Sequence, residues 1–273
     1  MPVIKWAGGK RSLAPLLTRM APSNIRSYYE PFVGSGALFF SLSTAKYTDA
    51  IISDINRSLI DLYVAIRDEP DSVMAALDIL QPHVLNKDRY YQIRGTNECQ
   101  LTLTQRAARF IYLNKAGYNG LYRVNRAGEF NVPFGRHPAA PRLYEPRNLL
   151  RVSKRLQMAR LVCGDFDQTL ADAGTGDFAY LDPPYAPLTS TANFTSYTNT
   201  SFTKDDQIRL ATAVHALTEK GTRVLLSNSD VPLVRDLYKD YNLTVLYAAR
   251  RINSDSGGRG KITELAIRNY AST

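Results

Sequence analysis

A strand, a glycine turn and a second strand closed by an acid follow one another within the first 54 residues, and this succession restricts the fold more than any other stretch. Tyr28-Tyr29-Glu30-Pro31-Phe32 reads as a short strand, Val33-Gly34-Ser35-Gly36 as a tight turn, and Ala37 to Leu42 as an apolar helical run. A further β-prone segment, Ala50-Ile51-Ile52-Ser53, ends in Asp54, twenty positions after Gly34. Strand, glycine turn and helix open a nucleotide-binding βαβ unit, whose strands lie parallel in one sheet. An acid at this interval commonly binds ribose hydroxyls. Two glycines instead of three, with no pyrophosphate clamp, favour a ligand that has a nucleoside but no diphosphate. S-adenosylmethionine is such a ligand.

The alternation continues through the chain. Strands are expected at Arg160–Gly164, Asp177–Leu181, Val224–Asn228, Leu243–Ala249 and Ile262–Asn269, and helices near 145–157, 203–219 and 231–239. This is an α/β pattern. Four helical patterns, at 57–67, 70–80, 87–95 and 104–116, stand between the second and third strands. Between Lys115 and Pro146, Asn-Gly and Ala-Gly turn signals flank short β-prone stretches and predict a hairpin.

Charge singles out the same middle region. Residues 86–160 hold 15 Lys or Arg against 4 Asp or Glu, while the rest of the chain is nearly balanced, so all of the +9 net charge is local. A localised basic segment is the footprint of a polyanion binder. The hairpin's arginines and asparagines are the side chains that make bidentate contacts with guanine and adenine edges. Its tyrosines can stack on bases or wedge into a duplex.

Asp182-Pro183-Pro184-Tyr185 ends the hydrophobic run Asp177–Leu181, so the acid falls at a strand's carboxyl end, where α/β sheets collect ligands. Two prolines fix φ twice and remove two N–H donors. A carboxylate, a proline carbonyl and an aromatic face remain. These suit a planar group bearing an exocyclic amine: two acceptors for its hydrogens and a ring to stack upon. Adenine, the cytosine amine, RNA bases and protein amides all answer that description; a DNA-binding protein whose cofactor pocket no longer works is the reading from a different class. Asp165-Phe166, after another strand, offers an acid and an aromatic to an adenine ring.

Lys5-Trp6-Ala7-Gly8-Gly9-Lys10-Arg11-Ser12 is not a phosphate-binding loop, because Ile4 and Arg11 stand where that motif needs glycine and Ser or Thr. Lys10 can instead face a carboxylate, and Trp6 can cover an apolar or cationic group. The segment Ala186 to Phe202, rich in Ser, Thr and Asn, reads as a long loop beside the site, and Ser254 to Gly260 as a loop between the last two strands. His83, His137 and His215 lack ligand spacing, so no metal is expected. Cys99 and Cys163 form no disulfide framework, and neither a membrane span nor a signal segment is evident; a cytoplasmic protein is expected.

Together, Lys5–Lys10, Glu30–Gly36, the Tyr118–Arg136 hairpin, Asp182–Tyr185 and Ala192–Tyr197 stand in the order of the DNA adenine methylase (Dam) family, which the chain resembles from Lys5 to Tyr270. The resemblance implies a Rossmann-like S-adenosylmethionine-dependent methyltransferase sheet with an inserted, mainly helical recognition domain carrying the hairpin. The catalytic domain would be 1–56 with 145–273, and the target-recognition domain 57–144. The implied activity is transfer of a methyl group from S-adenosyl-L-methionine to the N6 amine of adenine in double-stranded DNA, within GATC, by base flipping. S-adenosyl-L-homocysteine would be the product. Asp182, Pro183 and Tyr185 take the catalytic roles. Trp6, Lys10, Asp54 and Asp182 match the family's cofactor positions, with Phe32, Gly34, Asp165 and Phe166 added to them. Lys5, Tyr118, Asn119, Leu121, Arg123, Pro133 and Arg136 match positions that read or intrude into the duplex. His137 departs from the tyrosine common after Arg136 in the family. A monomer associated with the nucleoid is the expected state.

Overall fold

The computed structural model describes residues 2–186, 202–248 and 262–271. The expected loops after Ala186 and at 254–260, including the family-like Ala192–Tyr197, lie outside the described residues. The described strands are β1 (Ile25–Glu30), β2 (Tyr47–Asp54), β3 (Ala159–Cys163), β4 (Phe178–Leu181), β5 (Arg223–Ser229), β6 (Asn242–Ala248) and β7 (Ile262–Arg268). They form one sheet in the order β3-β2-β1-β4-β5-β7-β6. Strands β1 to β5 pair in parallel, whereas β7 runs antiparallel to both neighbours. The order reverses between β1 and β4. That is the switch point at which open α/β sheets bind ligands.

Successive side chains of a strand point to opposite faces, and the sheet divides its apolar residues accordingly. Tyr28, Ile52, Tyr180 and Leu225 enter one core, and Tyr29, Ile51, Ala179 and Leu226 the other. In β4 every side chain is at most 1% exposed, as a central parallel strand covered on both faces requires. The helices are α1 (Ala14–Met20), α2 (Arg57–Asp68), α3 (Pro70–Leu80), α4 (Lys87–Arg94), α5 (Leu103–Ala116), α6 (Pro146–Leu156), α7 (Phe166–Leu170), α8 (Lys204–Glu219) and α9 (Pro232–Leu237). Leu59 and Tyr63 of α2 share the first core with β1 and with Ile111 and Tyr112 of α5; Leu210, Val214 and Leu217 of α8 build the second. Asn56 caps α2 by accepting from the Leu59 amide, and Thr102 and Thr203 open α5 and α8 with capping boxes.

Three local expectations need correction. The run Ala37–Leu42 is a series of turns and not a helix, although Phe40 and Leu42 each donate to the carbonyl four residues back. Gly34 and Gly36 have φ of +46° and +66°, and the Phe40 ring lies where a Gly36 Cβ would stand. The chain therefore coils back over itself before helical geometry can propagate. Strand β1 starts at Ile25 and ends at Glu30, because Pro31 has no N–H for a ladder. The hairpin is joined by two isolated bridges, Gly117 with Phe134 and Val124 with Phe130, and by no continuous ladder. Helix α1, with Pro15 in its first turn, was not foreseen.

Candidate active site

Asp182 follows β4 directly and so stands at the switch point. Its side chain is 18% exposed, and Oδ1 lies 2.9 Å from the ammonium of Lys10, itself 5% exposed. That contact is a buried charge pair, and the lysine is the one donor group within reach of Oδ1 among the described residues. Burial pushes the Asp182 carboxyl up, Lys10 draws it back, and Glu264 adds to the rise. The ammonium also donates to the Gly8 carbonyl at 2.7 Å, lies 4.5 Å from the centre of the Tyr185 ring, and is 3.9 Å from Glu264. Tyr185 donates its hydroxyl to Glu264 Oε2 at 2.8 Å. Burial and the two carboxylates raise that phenol well above its ordinary range. One cation thus gathers two carboxylates and an aromatic face.

The two proline carbonyls are not equivalent. Gln207 Nε2 donates to Pro184 O at 2.9 Å, whereas Pro183 O accepts no hydrogen bond from any described residue. Among the described residues, the carbonyl without a donor is therefore the one adjoining Asp182.

Across the switch point, Gly34 N donates to Asp54 Oδ2 at 3.1 Å and Asn56 N to Oδ1 at 3.0 Å. Burial lifts the Asp54 carboxyl to about 6 against the pull of these amides. Tyr63 donates to the Gly34 carbonyl at 2.7 Å, and the Trp6 indole lies so close that a Cβ on Gly34 would come within 2.7 Å of it. Asp165 caps α7 and pairs through both oxygens with Arg209. Burial works to raise that carboxyl, but Arg209 and the Asp167 amide hold it below its ordinary value. Arg209 also lies 4.2 Å from the Phe166 ring centre, and Phe166 packs on Phe32. The proposed cofactor residues Trp6, Lys10, Phe32, Gly34, Asp54, Asp165, Phe166 and Asp182 thus occupy the carboxyl-end rim of neighbouring strands.

Of the residues expected to face DNA, Lys5 lies in the N-terminal segment and the others stand on the segment after α5. Tyr118 is 49% exposed, and Asn119 adopts the left-handed conformation with φ of 55°. Lys5, Asn119, Arg123, Pro133 and Arg136 are exposed, and Leu121 is half-buried. Buried Asn114 ties this segment to the N-terminus: Oδ1 accepts from Lys5 N, and Nδ2 donates to the carbonyls of Lys5 and Gly120. Arg123 Nε is held at 2.7 Å by Asn131 Oδ1. His137 turns inward, with Nε2 2.9 Å from the Ala116 carbonyl.

The family model of the D12 class N6 adenine-specific DNA methyltransferases matches residues 6–252. The chain belongs to this family. Among curated relatives, the methyltransferase is 39% identical to the DNA adenine methylase of Escherichia coli over 96% of this chain and 92% of that one. It is 39% identical to the type II methyltransferase M1.LlaDCHI of Lactococcus lactis, over 98% and 95%. It is 40% identical to the type II methyltransferase M.MjaIII of Methanocaldococcus jannaschii, over 98% and 99%. The methyltransferase has no group of side chains suited to a metal among its described residues, and no described helix is long and apolar enough to cross a membrane.

Several residues in contact with this candidate site carry no sequence signal of their own. Glu264 lies 79 residues from Tyr185 and faces it only because β7 runs beside β5, with Glu264 opposite Ser229. Gln207 and Arg209, in the first turns of α8, reach the ends of β4 and β3 respectively. Tyr122 stacks on Trp6 at 5.4 Å and on Phe110 at 5.1 Å, linking the segment after α5 to the indole over Gly34.

Proposed function

We propose that the enzyme transfers the methyl group of S-adenosylmethionine to the N6 amine of adenine in double-stranded GATC sites, with the target base extruded from the stack. The observation that carries this reading is the Asp182 carboxylate, charge-paired with Lys10 at the switch point, set directly before a Pro183 carbonyl that accepts no hydrogen bond from a described residue. Two acceptors adjacent in sequence, followed closely by an aromatic ring, suit an amine with two hydrogens on a planar base.

The rim residues fit the cofactor. Two carboxylates share one ammonium in the Lys10–Asp182–Glu264 cluster, a surplus of negative charge suited to a sulfonium. Gly34 lets the Trp6 ring close over the turn, and Asp54 presents a carboxylate beside it. Trp6, Lys10, Phe32, Gly34, Asp54, Asp165, Phe166 and Asp182 would hold the group. When bound, it supplies an electrophilic methyl on sulfur and departs as S-adenosylhomocysteine.

An adenine amine is a weak nucleophile because its lone pair is delocalised into the ring. It is also inaccessible inside a duplex. Tyr185 stacks on the extruded base, and Asp182 and Pro183 accept its two amine hydrogens. These bonds favour the pyramidal nitrogen of the transition state over the planar ground state. Methylation makes the nitrogen strongly acidic, so its surplus proton passes to Asp182 or water without a strong base. Alignment supplies the rest of the acceleration.

Residues 57–144 act as the target-recognition part, and 1–56 with 145–273 as the catalytic part. Lys5, Tyr118, Asn119, Leu121, Arg123, Pro133 and Arg136 form the duplex-facing set, with Tyr118 as a wedge and Arg123 as a guanine reader. The enzyme works as a monomer on nucleoid DNA in the cytoplasm. Incubating it with S-adenosylmethionine and duplexes that carry GATC or a one-base change, followed by mass analysis of the nucleosides, tests the whole reading. N6-methyladenine confined to GATC is expected. A methylated cytosine, or equal methylation of altered sites, overturns it.

A further inference from the structure

A chain of buried amides runs beneath the catalytic turn. Gln207 Nε2 donates to Pro184 O at 2.9 Å, Asn228 Nδ2 donates to Gln207 Oε1 at 3.0 Å, and Asn228 Oδ1 accepts from Ala186 N at 3.3 Å. Ser229 Oγ then donates to Ala186 O at 2.7 Å. Gln207 and Asn228 are both fully buried, at 0% exposed. Each bond fixes the sense of the next. Turning over the Gln207 amide would set its oxygen against Pro184 O and its NH2 against that of Asn228, leaving four buried groups unmatched.

The anchors come from two elements on the second core: Gln207 from the first turn of α8, and Asn228 and Ser229 from the end of β5. Both elements pack through apolar contacts, Leu210 and Val214 from one and Leu226 from the other. The catalytic turn contains two prolines and so lacks two backbone donors with which to fix itself. Side chains supply the missing restraint. By holding Pro184 O and both backbone groups of Ala186, they define the direction in which the preceding carbonyl, Pro183 O, projects.

We propose that Gln207 and Asn228, assisted by Ser229, are positioning residues for methyl transfer: they aim the Pro183 carbonyl and the Asp182 carboxylate at the amine without touching substrate or cofactor. This rests on the catalytic roles proposed above for Asp182 and Pro183. Such residues should affect the chemical step while leaving binding and base extrusion intact, a separation that loss of packing alone does not produce.

The test is single-turnover methylation of a GATC duplex by the full-length enzyme with saturating S-adenosylmethionine, below the melting temperature of each variant. Gln207→Met keeps the side-chain volume but deletes both hydrogen bonds. Transfer is expected to slow about 100-fold, the scale of a misplacement of roughly 1 Å, with duplex and cofactor Kd within about twofold of wild type. The fluorescence rise of 2-aminopurine at the target position should persist, since extrusion precedes the step affected. Ser229→Ala removes the 2.7 Å bond to Ala186 O and a longer 3.4 Å contact with Asn228 Oδ1; it is expected to slow transfer about tenfold and serves if Gln207→Met does not fold. An unchanged rate in a folded variant overturns the proposal, as does a rate loss matched by an equal loss of extrusion or cofactor affinity. Asp182→Ala is run alongside. If it methylates at the wild-type rate, the catalytic reading itself fails; if it is inactive while Gln207→Met is normal, only the positioning role falls.

Discussion

Lys10 Nζ stands 2.9 Å from Asp182 Oδ1 in surroundings that leave the two side chains 5% and 18% exposed. A carboxylate needs its charge to act as a strong acceptor, and burial opposes that charge. Lys10, from the glycine-containing segment near the start of the chain, opposes that effect of burial.

Removing this partner leaves an uncompensated buried carboxylate. In Lys10→Met the Asp182 carboxyl, already raised by burial, loses the main influence drawing it down. The acid limb of the single-turnover rate profile should move to higher pH by about one to three units. Activity lost at neutral pH should return in part as pH rises. Rate profiles of the two proteins check this; coincident acid limbs contradict it.

Glu30 predicts a pH-dependent stability of defined sign. Burial raises its carboxyl from 4.5 to about 8, against hydrogen bonds from the Tyr28 hydroxyl and the Phe39 amide. The native chain keeps this proton where the unfolded chain has released it, so the stabilisation is complete below 4.5 and is lost as pH rises to about 8. Asp54, raised from 3.8 to about 6, acts in the same direction over its own window. Thermal midpoints measured from about pH 5 to pH 8 should therefore fall less steeply in Glu30→Gln than in wild type. Parallel curves would show that Glu30 is not the group involved.

Trp6 predicts coupling between the segment after α5 and the proposed cofactor rim. Tyr122 stacks on it at an interplanar angle of 28°, and aromatic pairs contribute about 0.5–1.5 kcal/mol beyond their buried area. Tyr122→Ala should weaken S-adenosylmethionine binding roughly 2- to 12-fold even without DNA, by releasing the indole. Calorimetric titration of the free enzyme measures this directly. An unaltered Kd would confine Tyr122 to the recognition segment.

Arg123 is oriented by Asn131, whose side chain accepts from Nε at 2.7 Å and whose carbonyl accepts from Nη2 at 3.3 Å. Arg123→Ala should cost about 1–3 kcal/mol of discrimination at one base pair. Asn131→Ala should lose part of the same discrimination, because the guanidinium stays but its orientation is no longer fixed. Methylation rates on GATC and one-base-changed duplexes give both values. Equal relative rates in wild type and Arg123→Ala would remove the arginine from base reading.

What was legible in the sequence was what local patterning encodes. Asp182 could be placed at a strand end because Phe178–Leu181 is an uninterrupted apolar run and the prolines cannot continue it. The helices at 57–68, 70–80 and 103–116 follow within a residue from apolar periodicity; Asn56 and Thr102 cap the first and third, and Pro70 opens the second without a side-chain cap. Ala37–Leu42 misled because its composition is apolar while its geometry is dictated by two left-handed glycines and a Phe40 ring folded over one of them. Glu264, Gln207 and Asn228 were illegible for another reason. Their partners lie 79, 23 and 42 residues away, and strand order and helix docking alone bring them together.

Methyl transfer by Asp182→Ala in one turnover, on a GATC duplex bound to saturation, tests the central claim most directly. The substitution removes the acceptor and keeps the β4 strand, the recognition segment and the basic region. Duplex affinity should stay within about twofold while the transfer rate falls at least about 1000-fold, as when a principal transition-state hydrogen-bond partner is lost. A rate within about tenfold of wild type would contradict the assignment of Asp182 to the reacting amine.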